Sequence, residues 1–564
     1  MNIRCVASPV ICAIMLSTPA LAQTRLYVDA DASGANDGTS WTDAYTDLQD
    51  ALDDAVAGSG DYDIWIADGL YIRSGGGSRD GFVIAAARNR DFRLLGGFDG
   101  TETSLDDRAG LFSQTILSGN RGNPASATDN AYNVLSNHGV TYVNAPGPNL
   151  TLDGMVIEDG YADGYNLGED TGGGVYSAGS LHLVNCAIRD NYAYSSGGGV
   201  YVNGGTALAG LHVAVTASQS SFTNNACDLS GGALFVDAQG EVSIHTCTIK
   251  DNSAGGLGGG VYASNRWLFE IINSEVSSNT SDFLGGGVYL HQKFEQRTSD
   301  SCPTCPPNPG GPQNPQEDDP NTPEDETLEN LDDLPVQTVF FATTFADNAA
   351  DDGSAVYLDR PVDLYGNPVG LPRATAVLGC NIYANQLPTS VDAISGPLPP
   401  KLVSYTNYEG GWTGAGSNNV DLDPYFIDAS AKNFRLRPGS PLAAIGHADL
   451  LDADLVDLDI DSDTSELVFF DRPDLDDDAV TDLEAIPLDL HGFAREIGGL
   501  MDYGAYEVCR ADSNLDGAVT PADFSAWVQA SNANDVTIAD VNADGVVTPA
   551  DYNAWIQAFN NGCN

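Results

Sequence analysis

Between Ser221 and Tyr289 the chain reads SFTNNACDLSGGALFVDAQGEVSIHTCTIKDNSAGGLGGGVYASNRWLFEIINSEVSSNTSDFLGGGVY. Two short patterns alternate in it. One is apolar-x-x-Asn: Phe222 to Asn225, Ile249 to Asn252 and Val276 to Asn279, with further copies at Ile188 to Asn191, Phe345 to Asn348 and Ile382 to Asn385. The other is Gly-Gly-small-apolar-aromatic, ending at Tyr176, Tyr201, Phe235, Tyr262 and Tyr289, with a degenerate copy at Tyr357. The step from the apolar residue to the aromatic one is 13 residues in four successive copies, whereas the return leg runs from 12 to 21 residues. A fixed segment alternating with a variable one is how a coil keeps its strands and varies one loop. Ordinary hairpins would show two-residue turn signals instead of a period near 27 residues. The pattern therefore predicts an all-β, right-handed parallel β-helix. Its equivalent residues stack at the strand spacing of about 4.8 Å. Ile188, Phe222, Ile249 and Val276 form an inward apolar column, and Asn191, Asn225, Asn252 and Asn279 form an amide ladder at a bend.

Working outward, Ser40 through Val56 places Trp41, Tyr45, Leu48, Leu52 and Val56 at helical spacing with Ser40 as N-cap, a helix (about residues 40–57) to cover the open end of the first coil. Opening strands are expected at Ile64 to Ile66, Phe92 to Leu95 and Thr115 to Leu117, and one rung from Asn149 to Ile157. From about 296 to 336 the period breaks into Pro, Asn, Asp and Glu, the composition of a disordered insertion between two rungs. The β-helix is expected over residues 23–508.

At the N-terminus, Met1 to Arg4 is a short basic stretch, Cys5 to Leu16 is almost wholly apolar, and Ala20-Leu21-Ala22 offers an A-x-A cleavage site. That is a signal peptide over residues 1–22, cleaved after Ala22, and it implies a secreted, extracellular or cell-surface protein. No later stretch approaches the ~20 apolar residues of a membrane span. The 79 acidic side chains against 23 basic ones give a formal charge of −56, which repels nucleic acid and anionic lipid. None of the four lysines (Lys250, Lys293, Lys401, Lys432) follows a glycine, so there is no P-loop. Disulfides are permitted outside the cell. Cys509 and Cys563 bracket the last segment and are expected to be bridged, and Cys302 and Cys305 suggest a small structural bridge inside the insertion.

The last segment, residues 509–564, carries the most specific chemistry. Asp512, Asn514, Asp516, Thr520 and Asp523 stand at positions 1, 3, 5, 9 and 12 of a loop with Gly517 at position 6, and Asp540, Asn542, Asp544, Thr548 and Asp551 repeat the arrangement around Gly545. Calcium takes six to eight hard oxygens on such a loop, with a main-chain carbonyl at position 7, here Ala518 and Val546. Two calcium ions are expected. Each loop runs into an amphipathic helix carrying Phe524, Trp527 and Val528, or Tyr552, Trp555, Ile556 and Phe559.

The repeats resemble those of chlamydial polymorphic outer membrane proteins, which are β-helical surface proteins. Leu26 to Asp29, Ala67 to Tyr71 and Leu95 to Thr101 resemble the openings of bacterial secreted right-handed β-helix proteins. Asp423-Pro-Tyr-Phe426, Arg437-Pro-Gly-Ser-Pro441 and Tyr503-Gly-Ala-Tyr-Glu507 resemble their closing motifs. The resemblance implies a pectate-lyase-like solenoid. The duplicated loop–helix unit is similar to a dockerin, the module that docks into cohesin domains, and to the Gly-Cys-ending anchors of secreted proteins. It differs from cellulosomal dockerins in reading Thr-Pro-Ala at both recognition-helix starts. This resemblance implies a cohesin-like or surface anchoring partner.

A lyase would need carboxylates beside an Arg or Lys on one exterior face. The register supplies two columns, Arg189, Thr223, Lys250, Ser277 and Asp190, Asn224, Asp251, Ser278, which read equally as a solvated strand edge. There is no Gly-His-Gly, HExxH or GxSxG, and the acidic run Asp449 to Glu484 lacks an EF-loop glycine. The sequence leaves open whether the protein is an enzyme. Two functions fit: a non-catalytic secreted or surface protein binding carbohydrate or a surface partner, and a polysaccharide-degrading lyase or glycoside hydrolase delivered to a complex by its dockerin.

Overall fold

The computed structural model describes residues 24–561 except 78, 86–89, 109–113, 124–125, 139–146, 167, 204–212, 238–240, 266–267, 293–337, 360–374, 386–392, 397–400, 448–488, 491–494, 496–499, 516–518 and 543–544. The signal peptide, the 296–336 insertion with Cys302 and Cys305, the acidic run, and Cys563 with the neighbouring C-terminal residues therefore lie outside the described residues.

Each coil lays down a strand in each of three long sheets, of eleven, ten and nine strands, and the middle coils add a two-residue strand to a short sheet of five. Every pairing in these four sheets is parallel, which defines a parallel β-helix; crossovers returning to the same parallel sheet are right-handed in about 98 % of cases. In the central coils the order is first sheet (Leu181–Val184), second sheet (Ala187–Arg189), short sheet (Tyr192–Ala193), third sheet (Val200–Asn203). The expected columns are in register: Ile188 pairs with Phe222, Phe222 with Ile249, and Ile249 with Val276. All four side chains lie in the main core.

Three left-handed residues turn each coil. The corner between first and second sheets uses Asn185, Gln219, Thr246, Asn273, Ala342 and Tyr405, with φ from +47° to +50°. Next to most of them sits a small buried hydrogen-bonding side chain. The Cys186, Cys247 and Cys380 thiols donate to main-chain carbonyls, while Ser220, Ser274 and Thr406 bond the N–H of the adjacent coil. These cysteines and Cys227 are unbridged and buried, and desolvation pushes each thiol up to about 12, so they are inert packing groups. The second corner uses Asp190, Asn224, Asp251, Ser278 and Asp347 at φ +54° to +58°, a region short polar side chains tolerate. It is followed by the asparagine ladder. The third corner uses glycine, because a Cβ on Gly258 at φ +64° would stand 2.3 Å from the Val261 carbonyl oxygen.

The ladder runs unbroken from Asn191 through Asn225, Asn252, Asn279 and Asn348 to Asn385, each side-chain amide bonding to the Oδ1 of the next at 2.9–3.1 Å. The variable length lies between the third and first sheets: 27 residues separate Val242 from its partner Phe269, and 69 separate Phe269 from Thr338, with no slip of register.

The capping helix is present but shorter than the sequence suggested. It spans Leu48–Ala57 with Asp47, not Ser40, as N-cap, its carboxylate accepting from the Gln49 N–H. Leu48, Ala51, Leu52 and Ala55 close the core at the first coil. Ser40 instead accepts from the Asp43 N–H in a turn, and Trp41 packs outside the solenoid on Trp65 and Phe98, its Nε1 donating to the Glu102 carbonyl. The expected rung from Asn149 to Ile157 is two strands, Asn149–Asp153 and Val156–Glu158, separated by Gly154 at φ +75°.

Candidate functional site

Two places bear chemistry: the C-terminal helical segment and the outer faces of the solenoid. In the first, helices Pro521–Ala533 and Pro549–Asn561 enclose a small core of Trp527, Ala530, Ala539, Val541 and Trp555. The two loops before them match closely. Asp512 and Asp523, and Asp540 and Asp551, are all buried. In each loop the position-3 main-chain N–H donates to Oδ1 of the last aspartate, Asn514 to Asp523 at 3.0 Å and Asn542 to Asp551 at 3.2 Å. The hydroxyls of Thr520 and Thr548 accept from the N–H groups of Ala522 and Ala550, capping the helices, while the last aspartates accept from the threonine N–H groups.

Gly545 has φ +85° and donates its N–H to Asp540. Val546 is described in the second loop, but Asp516, Ala518 and Asp544 lie outside the described residues. Among the described residues no three His, Cys, Asp or Glu side chains are grouped as a metal site; each loop's middle acid is one of those left out. What is described fits a hard cation: two buried carboxylates brought to one loop, twice over, with an asparagine between them. Cys509 is disulfide-bonded. The loops are not equivalent in their surroundings, because Arg435 Nη2 stands 3.4 Å from Asp512 Oδ2.

The charged columns on the second sheet are in the expected register, but they are not an open catalytic face. Residues 423–447 and 489–512 cross the outer faces of the later coils as a strap. The Lys432 ammonium pairs with Asp251, and Lys250 donates to the Lys432 carbonyl while standing 5.7 Å over the Phe434 ring. The three closing motifs are the fastenings. Arg437 donates to the carbonyls of Phe426 and Ile427, and Ser440 to that of Pro424. The Gly504 N–H reaches the Gly379 carbonyl, and the Tyr506 hydroxyl donates to Glu275. Met501 joins Ile272, Val339, Phe341 and Leu378 in a second core on the outer side of the first sheet.

The strap is clasped by a buried charge cluster. Fully buried Arg495 donates to Glu507 at 2.8 Å and to Asn273; Glu507 accepts from the Asp502 N–H, and Asp489 from the Glu507 N–H. Burial, with the opposing pull of Arg510 and Arg495, leaves the Asp502 carboxyl raised to about 6, and burial together with Asp502 raises Glu507 well above the usual range. Raised carboxyl values mean that the folded clasp holds protons the unfolded chain would release. Its contribution is therefore fullest below about pH 4 and is lost as pH climbs through 6. The strap should resist proteolysis better at pH 5 than at pH 7. Glu507→Gln should shrink that difference, and an unchanged pH profile would refute the assignment.

On the first sheet's outer side Glu270 is buried, accepts from Ser243 Oγ at 2.7 Å and pairs with His245 Nε2 at 2.8 Å. Sequence reasoning did not single out these three. The signal was available, since Ser243 and Glu270 are 27 residues apart and share a register position.

No family model matches the chain, and no curated protein matches it. Among solved structures, pectate lyase Pel9A aligns over 75 % of this chain and 92 % of its own at 11 % identity, with a TM-score of 0.35. A pectin methylesterase from Aspergillus niger aligns over 67 % and 92 % at 12 % identity, with a TM-score of 0.25. At such scores the class of the molecule, a parallel β-helix, rests on its own strand registers. Among the described residues no helix is long and apolar enough to cross a membrane.

Proposed function

We propose that this is a secreted or cell-surface β-helix protein that binds carbohydrate or a surface partner and is attached through a calcium-dependent, dockerin-like segment at residues 509–564. The observation that carries the attachment is the matched pair of loops, each folding buried first and last aspartates onto a helix start. A duplicated metal loop next to a long solenoid separates holding from display. Support for display over chemistry comes from the strap, which occupies the Lys250–Asp251 face a lyase would need open. A cohesin-like or other surface protein is the anchor's partner in this reading.

A second reading, a polysaccharide-degrading enzyme delivered by the same segment, is favoured by the His245–Glu270 pair, whose 2.8 Å contact suits proton transfer. Deleting residues 509–564 tests both. The truncated protein should be released from the producing cell, still folded, because solenoid coils contact mainly their neighbours. Retention of the truncated protein on the cell would refute the anchor. Reducing sugars or unsaturated products from a panel of plant and algal polysaccharides, abolished by Glu270→Gln, would establish the enzyme.

A further inference from the structure

Six aromatic residues stack in one column on the outer side of the third sheet, Tyr176, Tyr201, Phe235, Tyr262, Tyr289 and Tyr357, with ring centroids 4.5–5.6 Å apart and planes within 12°. Their faces are spent on one another. A pyranose packs its C–H face on an aromatic face, so this column offers a sugar little beyond ring edges.

The corner after the short sheet is different. There Tyr165 is fully exposed, and Tyr194, Leu229 and Phe283 are 57, 55 and 58 % exposed. The registers Ala193–Cys227–Ala254–Ser281 and Ser196–Ser230–Leu257–Leu284 bracket two rows. The first row is Tyr194, Asp228, Gly255, Asp282, and the second is Ser195, Leu229, Gly256, Phe283. A Cβ at Gly255 or Gly256 would stand 2.4 Å from the carbonyl oxygen of Asp228 or Leu229. The glycines therefore fix a notch with a main-chain floor between Leu229 and Phe283. Buried Ala162, Ala193, Cys227 and Ala254 pack under the ridge and hold it rigid.

Resting on the carbohydrate reading above, we infer that this ridge, from Tyr165 to Phe283, is the glycan-binding surface, and that its ligand is a neutral linear polysaccharide lying along the solenoid axis. The ridge crosses four coil spacings, roughly 19 Å at ~4.8 Å each. It is only one or two side chains wide, whereas a specific protein interface covers about 800 Å² per partner. That shape suits a chain. The flanking charges are the carboxylates of Asp228 and Asp282. They accept hydrogen bonds from sugar hydroxyls, as Asp228 already does from the Tyr192 hydroxyl at 2.9 Å, and they repel polyuronates.

The test is affinity electrophoresis of the full chain through gels containing soluble β-glucan, xyloglucan, galactomannan or polygalacturonate. At least one neutral polymer should retard the protein and polygalacturonate should not. Tyr194→Ala with Phe283→Ala should weaken that retardation at least tenfold while leaving the melting temperature unchanged, since both side chains stand in solvent. Equal retardation of variant and wild type would overturn the ridge while leaving carbohydrate binding intact. Retardation by no polymer would overturn both, as would binding only to polygalacturonate with calcium. Capture of a protein partner lost in the same double variant would overturn the choice of a glycan.

Discussion

Replacing Asn252 by leucine should destabilise the β-helix by about 3–5 kcal/mol, far more than a surface substitution. The amide sits at the centre of the ladder. Its Nδ2 donates to the carbonyls of Phe222 and Lys250 at 2.9 and 3.0 Å and to Asn279 Oδ1 at 2.9 Å; its Oδ1 accepts from both the main-chain N–H and the Nδ2 of Asn225 at 3.0 Å. Leucine is similar in bulk but leaves these groups unanswered where water does not reach, and each buried orphan costs ~1–3 kcal/mol. Asn252→Asp should be no kinder, because it faces Asn279 Oδ1 with a second acceptor. Denaturant unfolding measures the loss, and a change below about 1 kcal/mol would mean that the ladder is decorative.

The second large effect belongs to the proposed calcium loops. Calcium at about a hundred times its dissociation constant should stabilise the C-terminal segment by roughly 2.7 kcal/mol per site, because it binds only the folded loop. Chelator should remove that gain. Asp523→Ala and Asp551→Ala should each abolish one site and uncap one helix, since both carboxylates also accept from the threonine N–H groups. The two sites should differ in strength: Arg435 already neutralises Asp512, so the first loop should bind more weakly, and Arg435→Gln should bring the two together. Calorimetry of the full chain decides this. A titration without heat, and melting indifferent to chelator, would remove calcium from the account.

What the sequence made legible follows from periodicity. The asparagine ladder, the aromatic column and the inward apolar column each depend on one residue type recurring at one register position, and such recurrence survives variable loops. The capping helix was legible in kind but not in extent. Trp41 and Tyr45 fit a helical stripe, yet Trp41 finds a better-packed site against Trp65 and Phe98, an outer cluster that no local pattern encodes. The strap was invisible for the same reason. Arg495 meets Asn273 across 222 residues, and Tyr506 meets Glu275 across 231. The Glu270–His245 pair was hidden differently: its members sit on a row where neighbouring coils carry threonine and histidine, so no repeat advertised them. In the C-terminal segment the donor positions were readable because loop spacing alone dictates them. The grip of Arg435 on one loop was not.

The corner between the third and first sheets has a consequence for how such a protein can change. Closing a loop costs about (3/2)RT ln n, so lengthening a coil from 27 to 69 residues adds only about 0.8 kcal/mol. The registers on either side are untouched, because each is enforced by the ladder and the glycine corner of its own coil. A foreign sequence spliced in there is therefore nearly free of thermodynamic consequence, while one spliced anywhere else in the coil must break a column. The solenoid thus behaves as a rack with a single loading side, able to acquire or discard passengers without renegotiating its core.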